Sequence, residues 1–409
     1  MFWNKPKKKP ARAGGRIFLD YASVTPVDEE VSLRMKKCQD EVFGNPSALY
    51  EEGIKAKEEV KKSREIISKI LNVRPSEIIF TSGGTEGNNL ALLGVFDACK
   101  TESPPAPDQA GGRAGFIPHV ITTTIEHPAI LEVCKEIEKR GGEVTYVGVG
   151  EDGIVNPKDI SNALKKNTIL VSVMYANNEI GTVQPIAKIG KILKEWRERH
   201  DTVSPYFHVD ACQAPLYLPM DIAKYGVNLI TLDGIKIYGP RGIGILYIDS
   251  DVHINSIMFG GGQEKGLRSG TENVSSIVGV AKALEIAQQM KEKESERLVL
   301  IRDYTIEQIL KNFPKATLNG SEEYRLPNNI NICFPGLDAE FAVISLDVSG
   351  ISASYSSSCR TLSENSSSYV VTALGKDNCS LSSLRFTLGR ETTKGDIDEL
   401  LLALKKVCK

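Results

Sequence analysis

Residues 168–210 contain the stretch that decides the fold: "TILVSVMYA" (168–176), "PIAKIGKILKEWRERH" (185–200) and "PYFHVD" (205–210). The first and last segments are short apolar runs, which are typical of buried strands. The middle segment has apolar residues at helical spacing and predicts an amphipathic helix. A strand, a helix and a second strand in this order predict two parallel strands joined by a crossover helix.

The same alternation extends outward in both directions from this stretch. A second amphipathic helix is predicted from "AILEVCKEIEKRGG" (129–142). Five more segments have the character of strands: "EIIF" (77–80), "HVITTT" (119–124), "EVTYVGV" (143–149), "LITLDG" (229–234) and "GILYI" (244–248). We therefore expect an α/β fold with a mostly parallel, seven-stranded sheet between helices.

A change of pattern near Ser275 divides the chain into two predicted domains. A long helical stretch (275–313) is followed by strands and a final helix (394–409), so 275–409 is expected to form a smaller α+β domain. Residues 17–274 form the predicted large domain, and its first part, 17–27, could instead join the small one. Three segments are expected to lie outside the regular structure: a basic disordered tail (1–16), an insertion loop (101–118) and a mobile Ser-rich loop (352–368).

Composition restricts the class of protein. The 409 residues are 41% hydrophobic and 25% charged, as in ordinary soluble proteins, and no segment is long and apolar enough to span a membrane. A net charge of -2 argues against direct binding of nucleic acid. The basic start lacks the apolar run of an export signal, and none of the eight cysteines forms a C-x-x-C pair or a zinc-type spacing. We therefore expect free thiols in a reducing cytoplasm.

The stretch "LDGIKIYGPRGIG" (232–244) places a lysine between two isoleucines. Burial in apolar surroundings would lower the pKa of Lys236 and make its amine available for chemistry. The alternative is a lysine at the end of a strand whose amine reaches outward into solvent.

A glycine-rich turn between a predicted strand and a helix is a candidate phosphate site. In "EIIFTSGGTEGNNLALLG" (77–94) a helix is expected to open near Thr85, where exposed backbone N–H groups attract an anion. Gly83 and Gly84 would let the anion approach the backbone. The motif is neither a Walker A loop nor G-x-G-x-x-G, so it does not imply a nucleotide, and Thr85 as a simple helix cap remains open.

Other polar residues follow three more predicted strands. Asp210 and Gln213 come after one strand, His127 after a second and Asn178 after a third. Each has a structural alternative, such as Asp210 capping the next helix. Together with Lys236 and the anion site, however, they form the set of groups that binds pyridoxal 5'-phosphate (PLP).

At this point the sequence resembles the NifS/IscS-like cysteine desulfurases, in the class V aminotransferase family of fold-type I PLP enzymes. The similarity extends from about residue 17 to the C-terminus. It is carried by nine ordered motifs: "IFLDYASVTP", "FGNPSALY", "FTSGGTEGNN", "IEHPAI", "NNEIGTVQPI", "HVDACQ", "KIYGPRGIG", "GGGQEKGLRSGTENV" and "LRFTLGR".

The resemblance implies a role for each matching residue at the cofactor. Lys236 would bind PLP covalently and act as the general base, and Asp210 would hold the ring nitrogen protonated. His127 would stack on the ring and take the substrate thiol proton or reprotonate the cofactor. Gln213 would bond the ring hydroxyl, and Asn178 would contact the cofactor or the substrate carboxylate. Thr85 and the Gly84 backbone would bind the phosphate, and in a homodimer Thr271 would bind the phosphate of the other subunit. Arg390 would pair with the substrate carboxylate.

Cys359, in the Ser-rich loop, matches the cysteine that forms a persulfide in this family. Attack on the substrate sulfur requires a thiolate, and delivery of the sulfur requires a mobile segment. The neighbouring Arg360 could favour the thiolate. No metal site is otherwise indicated, although Cys359 could also act as an iron-sulfur ligand.

Two positions before the lysine depart from the family pattern. The family usually has a serine and a histidine that help to bind phosphate, where this chain has Asp233 and Ile235. A carboxylate near a phosphate repels it unless a cation intervenes. We expect Asp233 to turn away or to pair with a basic group; poor cofactor affinity is the alternative.

The implied activity is conversion of L-cysteine to L-alanine, with sulfur passing through Cys359 to an iron-sulfur scaffold or a tRNA-thiolating enzyme. Three alternatives remain at this stage. They are a selenocysteine lyase or other class V aminotransferase, a catalytically silent binding subunit with the same fold, and a dinucleotide-binding α/β enzyme.

Overall fold

The computed structural model describes residues 15–101, 116–221, 223–355 and 367–408. Most of the predicted tail, most of the insertion 101–118 and the centre of the loop 352–368 lie outside the described residues. Cys359 and Arg360 are among those positions.

The described chain contains twelve strands and ten α-helices. The strands are β1 (Ile17–Phe18), β2 (Ile78–Thr81), β3 (His119–Thr123), β4 (Glu143–Val147), β5 (Thr168–Ser172), β6 (Tyr206–Asp210), β7 (Leu229–Asp233), β8 (Gly244–Ile248), β9 (Thr317–Leu318), β10 (Asn329–Cys333), β11 (Ile351–Ser352) and β12 (Ser383–Thr387). The helices are α1 (Glu29–Glu41), α2 (Glu51–Leu71), α3 (Gly84–Thr101), α4 (Pro128–Lys139), α5 (Pro157–Ala163), α6 (Ile186–His200), α7 (Val274–Asn312), α8 (Ala339–Val348), α9 (Tyr369–Ala373) and α10 (Lys394–Val407). Among the described residues, no helix combines the length and the apolar character that crossing a membrane requires.

The central sheet has seven strands in the order β2-β8-β7-β6-β5-β3-β4. Strands β7, β6, β5, β3 and β4 run parallel, and β8 is antiparallel to both β7 and β2. The predicted α/β class and the mostly parallel, seven-stranded sheet are confirmed. Because β3, β5, β6 and β7 run in the same direction, the polar residues that follow them meet at one edge of the sheet.

Helices cover both faces of this sheet. On one face, apolar residues of α1, α2, α5, α6 and the first half of α7 share a core with the sheet. On the other face, α3 and α4 pack over the same strands through a second cluster that includes Leu90, Phe96 and Ile130. Strands that are buried on both sides need continuous apolar runs, which is the pattern in the sequence.

The C-terminal part builds its own core around two small sheets. Strands β12, β10 and β9 are antiparallel, and β1 pairs parallel with β11. Ile17 and Leu19 are buried in this core together with residues of α8 and α10. Helix α7 belongs to both cores, since Ile277 lies in the large one and Leu298 in the small one. One continuous helix therefore contributes to both cores.

One expectation about the cysteines is wrong. Cys333, at the end of β10, forms a disulfide with Cys379, which lies in a short 3-10 helix at residues 377–379. The two residues are 46 positions apart, and no motif marks them as a pair. Both are buried beside Val371 of α9, so the bond joins β10 to the segment that follows the Ser-rich loop.

Candidate active site

A cavity of about 180 Å³ opens where β3, β5, β6 and β7 end. An engineered cavity of about 150 Å³ is large enough to bind benzene, so this one has room for a small aromatic ring. It is lined by Ala22, Ser23, Gly84, Thr85, Asn88, His127, Met174, Ala176, Asn178, Asp210, Cys212, Gln213, Asp233, Ile235, Lys236 and Arg385.

Lys236 turns its amine into this cavity. It lies in a 3-10 turn, Gly234–Lys236, that directly follows β7. Its Nζ donates to the backbone carbonyls of Ser23 at 2.6 Å and Ala22 at 2.9 Å. Ile237 is fully buried, and Ile235 lines the cavity. The alternative of a lysine reaching into solvent does not describe this geometry.

Asp210 is a buried carboxylate at the end of β6. Its Oδ2 accepts a hydrogen bond from Asn88 Nδ2 at 2.7 Å, and its Oδ1 accepts from the Cys212 N–H at 3.1 Å. These two donors fix the orientation of the carboxylate. A buried carboxylate of this kind is suited to a cationic partner.

His127 is the N-cap of α4, and its imidazole faces the cavity. Its Nδ1 accepts from the Ala129 N–H at 3.1 Å, which places the proton of the neutral ring on Nε2. Burial lowers the pKa of His127, and the charge of Lys236 acts in the same direction against the opposing effects of Asp210 and Asp233. The imidazole is therefore neutral at pH 7.

Two amide side chains complete the predicted set. Gln213 lines the cavity and donates from Nε2 to the Ala22 carbonyl at 2.9 Å, the same oxygen that Lys236 contacts. Asn178 is buried, and its Oδ1 accepts no hydrogen bond from the described residues. A ligand with a hydrogen-bond donor would satisfy that buried oxygen.

The structure does not bring Arg390 to the cavity, so its predicted role at the substrate is corrected. Its guanidinium pairs with Asp28 at 2.6 Å and stacks over the ring of Tyr238, 4.1 Å from the ring centroid. Arg390 lies three residues beyond the end of β12, where it ties the small domain to the start of α1. This geometry gives it a structural role.

Arg385, which lies within β12, is the arginine that lines the cavity. It is 1% exposed, and its guanidinium donates to Asp20 Oδ1 at 2.7 Å, Ser23 Oγ at 2.9 Å and the Asn178 carbonyl at 2.9 Å. Its Nε has no acceptor among the described residues. Three of the five guanidinium N–H donors are used, so the Nε and one Nη1 donor remain for a ligand.

Asp233 faces the start of α3. The Gly84 N–H donates to Asp233 Oδ2 at 2.9 Å, and the Ile235 N–H donates to Oδ1 at 3.2 Å. Thr85 also lines the cavity. The expectation that Asp233 turns away is wrong, because its carboxylate takes up a backbone donor that was assigned to phosphate.

The roles predicted for Thr271 and Cys359 are not tested by the cavity as described. Thr271 is exposed, in the loop that precedes α7, and its role at a second subunit stays a prediction. Cys359 lies outside the described residues, so its role stays a prediction as well.

Three functional positions escaped the sequence reasoning. Asn88 lies one helical turn after Thr85, and that spacing was the available signal. Arg385 is a charged residue between Leu384 and Phe386 in the strand "SLRFT", which is also a signal. No local sequence signal marks Asp20, because Arg385, with which it pairs, is 365 positions away.

Comparisons with known proteins show the family of the chain. Residues 17–400 match the family model for class-V aminotransferases. A protein named cysteine desulfurase IscS, from Dictyoglomus turgidum, is 41% identical over 96% of this chain and 94% of its own length. A solved NifS-like protein superposes with a TM-score of 0.84 at 33% identity, covering 96% of this chain and 98% of the other. Another structure, named SspA in complex with cysteine, has a TM-score of 0.74 at 33% identity over 91% of this chain and 98% of the other. The chain belongs to the class-V aminotransferase family, in its NifS/IscS-like branch.

The residues of the cavity fit the ring of PLP better than its phosphate. Asp210, Lys236, the neutral His127 and the unmatched Asn178 Oδ1 suit a protonated pyridine ring. At the phosphate end, Gly84 already donates to Asp233. Within the described part of the chain, no cluster of three His, Cys, Asp or Glu residues could hold a metal ion.

Proposed function

We propose that this chain is a PLP-dependent cysteine desulfurase, which converts L-cysteine to L-alanine and passes the sulfur to an acceptor protein. The observation that carries the proposal is the convergence of Lys236, Asp210, His127 and Arg385 on one cavity. The printed name of the relative from Dictyoglomus turgidum supports the reaction, and the name of the SspA complex supports cysteine as the substrate.

Some residues of the cavity would bind the cofactor, and others would bind the substrate. PLP, when bound, supplies an electron sink for the electrons released at the substrate Cα. Asp210, fixed by Asn88 and the Cys212 N–H, would keep the ring nitrogen protonated. A neutral His127 does not repel that cationic ring, whereas an imidazolium would.

Lys236 and Arg385 serve the substrate. Lys236 would attach the cofactor at rest and, once released, act as the base that takes the Cα proton. Arg385 would donate to the substrate carboxylate from Nε and the remaining Nη1 N–H, because Asp20, Ser23 and Asn178 accept from its other three donors. This role replaces the one predicted for Arg390.

Cys359 would receive the sulfur. Its thiolate attacks the substrate sulfur, a new S–S bond forms, and the C–S bond of the substrate breaks with its electrons left on the carbon skeleton. Protonation of that skeleton yields alanine. The persulfide would then pass to an acceptor such as an iron-sulfur scaffold or a tRNA-thiolating enzyme.

We also propose a homodimer, in which Thr271 of one subunit serves the site of the other. Large apolar side chains are exposed in two segments of the single chain, as expected for a surface that a second copy covers. They include Phe43, Leu49, Tyr50 and Ile54 in one segment and Met258 and Phe259 in the other.

The test is release of sulfide and alanine from L-cysteine in the presence of PLP and a reductant. Wild type should form the two products in equal amounts, Lys236→Ala should form neither, and Cys359→Ser should lose sulfur transfer. Full activity of the Cys359→Ser variant would instead indicate another class V reaction. Absence of bound PLP in the wild type would indicate a silent binding subunit.

A further inference from the structure

Asp233 contacts the start of α3, the position that the family resemblance assigns to the phosphate of PLP. The N-terminal end of α3 carries unpaired N–H groups and a partial positive charge, which attract an anion. In this chain the Asp233 carboxylate already occupies this anion position, because it accepts a 2.9 Å hydrogen bond from the Gly84 N–H.

The carboxylate is packed closely against the turn. A methyl group built on Gly84 would lie 3.3 Å from Asp233 Oδ2, and one on Gly83 would lie 3.4 Å from it. Gly83 has a φ of 153°, a conformation that favours glycine, so the turn brings its backbone up to the carboxylate. A phosphate at the same N–H would meet this charge directly.

Building on the function proposed above, we propose that Asp233 competes with the 5'-phosphate of PLP for the start of α3. A deprotonated Asp233 weakens binding of the phosphorylated cofactor through like-charge repulsion. Protonation of Asp233 removes that repulsion, so loading of PLP takes up a proton at this carboxyl group. The aldehyde form without phosphate, pyridoxal, does not experience the competition.

The surroundings of Asp233 are compatible with protonation. Burial raises the pKa of this carboxyl group, while the Gly84 and Ile235 N–H groups and the charge of Lys236 oppose the rise. The ionisable groups that face it from the neighbouring elements are Lys236, Asp210, His127 and Cys212. Because Asp210 is also negative, it acts in the same direction as burial.

The experiment is equilibrium dialysis of the full-length protein against PLP and against pyridoxal, from pH 5 to pH 8.5, in buffers without phosphate. Asp233→Asn keeps the size of the side chain and an oxygen for the Gly84 N–H, but removes the charge. Asp233→Ser restores the residue type that is usual in the family. At pH 8 both variants should bind PLP about tenfold more tightly than wild type, or better, and pyridoxal equally well.

The pH dependence isolates the titration of Asp233. The phosphate also titrates, near pH 6, but it does so in every variant, so only the ratio between wild type and Asp233→Asn is informative. That ratio should approach one as the pH falls and Asp233 becomes protonated. A constant ratio, or equal PLP affinity of both proteins at pH 8, would overturn the proposal.

Two control variants separate this effect from trivial ones. Asp249→Asn removes one negative charge beyond the end of β8, at the opposite edge of the sheet, and should leave the PLP affinity unchanged. Thr85→Val should weaken PLP but not pyridoxal, which confirms that the assay reports the phosphate end. If wild type and all variants fail to bind PLP, the proposed function itself fails; if wild type binds and Asp233→Asn binds no better, only the competition fails.

Discussion

At the scale of single residues, two arginines five positions apart have different tasks. Arg385 reaches the cavity and keeps its Nε available, whereas Arg390 is occupied by Asp28 and Tyr238. A lysine has one charged point in place of a planar fork, so it cannot reproduce either arrangement.

Arg385→Lys should therefore raise the KM for L-cysteine by about 10- to 100-fold, since a hydrogen bond to a charged group contributes about 1.5–3 kcal/mol. Arg390→Lys should change the KM less than about threefold and lower the thermal stability instead. Steady-state kinetics together with thermal unfolding distinguish the two. The reverse pattern would return the substrate role to Arg390.

Glu126, next to His127, should make the free energy of unfolding depend on pH. It is fully buried, and its Oε1 accepts from Thr123 Oγ1 at 2.7 Å and from the Met174 N–H at 2.9 Å. Burial raises the pKa of this carboxyl group to about 8 in spite of those two hydrogen bonds. The folded protein therefore holds a proton that the unfolded chain releases at a lower pH.

The sign of the effect follows from linkage. A carboxyl group with a raised pKa contributes its full stability below its unfolded pKa, near 4.5, and loses it as the pH rises towards 8. The free energy of unfolding should fall by roughly 1.4 kcal/mol per pH unit in this window from Glu126 alone. Urea unfolding of wild type and Glu126→Gln at pH 6 and pH 8 tests this: the pH slope should be smaller for the variant. Parallel slopes would assign the loss to other groups.

At the scale of elements, Ser368, the last residue of the Ser-rich loop, connects α9 to the segment that follows β5. Ser368 caps α9 by accepting from the Val371 N–H at 3.1 Å and donates to Glu179 Oε2 at 2.5 Å. Since Glu179 belongs to the large domain, this single side chain ties the end of the loop to the neighbourhood of Asn178. The disulfide between Cys333 and Cys379 connects the short helix that follows α9 to the end of β10.

Ser368→Ala should lower the free energy of unfolding by about 1–2 kcal/mol, because it removes a helix cap and leaves a buried carboxylate with one donor fewer. Ser367→Ala, one position earlier, is the matched control and should have little effect. Thermal unfolding measures both. Equal effects of the two substitutions would indicate that the cap and the Glu179 contact contribute nothing specific.

At the scale of the whole molecule, residues from distant parts of the chain line one cavity. Lys236 and Asp210 lie at the ends of strands of the seven-stranded sheet, Arg385 lies within β12 of the three-stranded sheet, and Ser23 lies between β1 and α1. The proposed dimer would add Thr271 from a second copy.

Mixed dimers test that addition directly. In a dimer of Lys236→Ala with Thr271→Ala, a Thr271 that serves the other subunit leaves one site with both residues intact. We therefore expect about half of the wild-type PLP-binding and desulfurase capacity in purified mixed dimers. If Thr271 served its own subunit, both sites would be defective and neither capacity would be recovered. A monomer in analytical ultracentrifugation would contradict the proposed dimer outright.

Spacing along the chain was enough to predict all seven strands of the large sheet, the helices α4, α6, α7 and α10, and the edge at which the site lies. Helical and strand periodicities are local, because they record which face of each element is buried. Local sequence likewise determined that Lys236, Asp210, His127, Asn178 and Gln213 follow strand ends and so share one edge of the sheet.

Only the tertiary structure decided which arginine enters the cavity, where the Asp233 carboxylate points and that Cys333 pairs with Cys379. Arg385 is held by Asp20 and Asn178, and Asp233 by Gly84, all of them more than 140 positions away in sequence. Such contacts depend on how distant parts of the chain pack together, and the periodicity within one segment carries no information about that packing. The sequence therefore predicted the positions of Lys236, Asp210 and His127 in the fold, whereas Arg385 and the hydrogen-bond partners of these side chains required the tertiary structure.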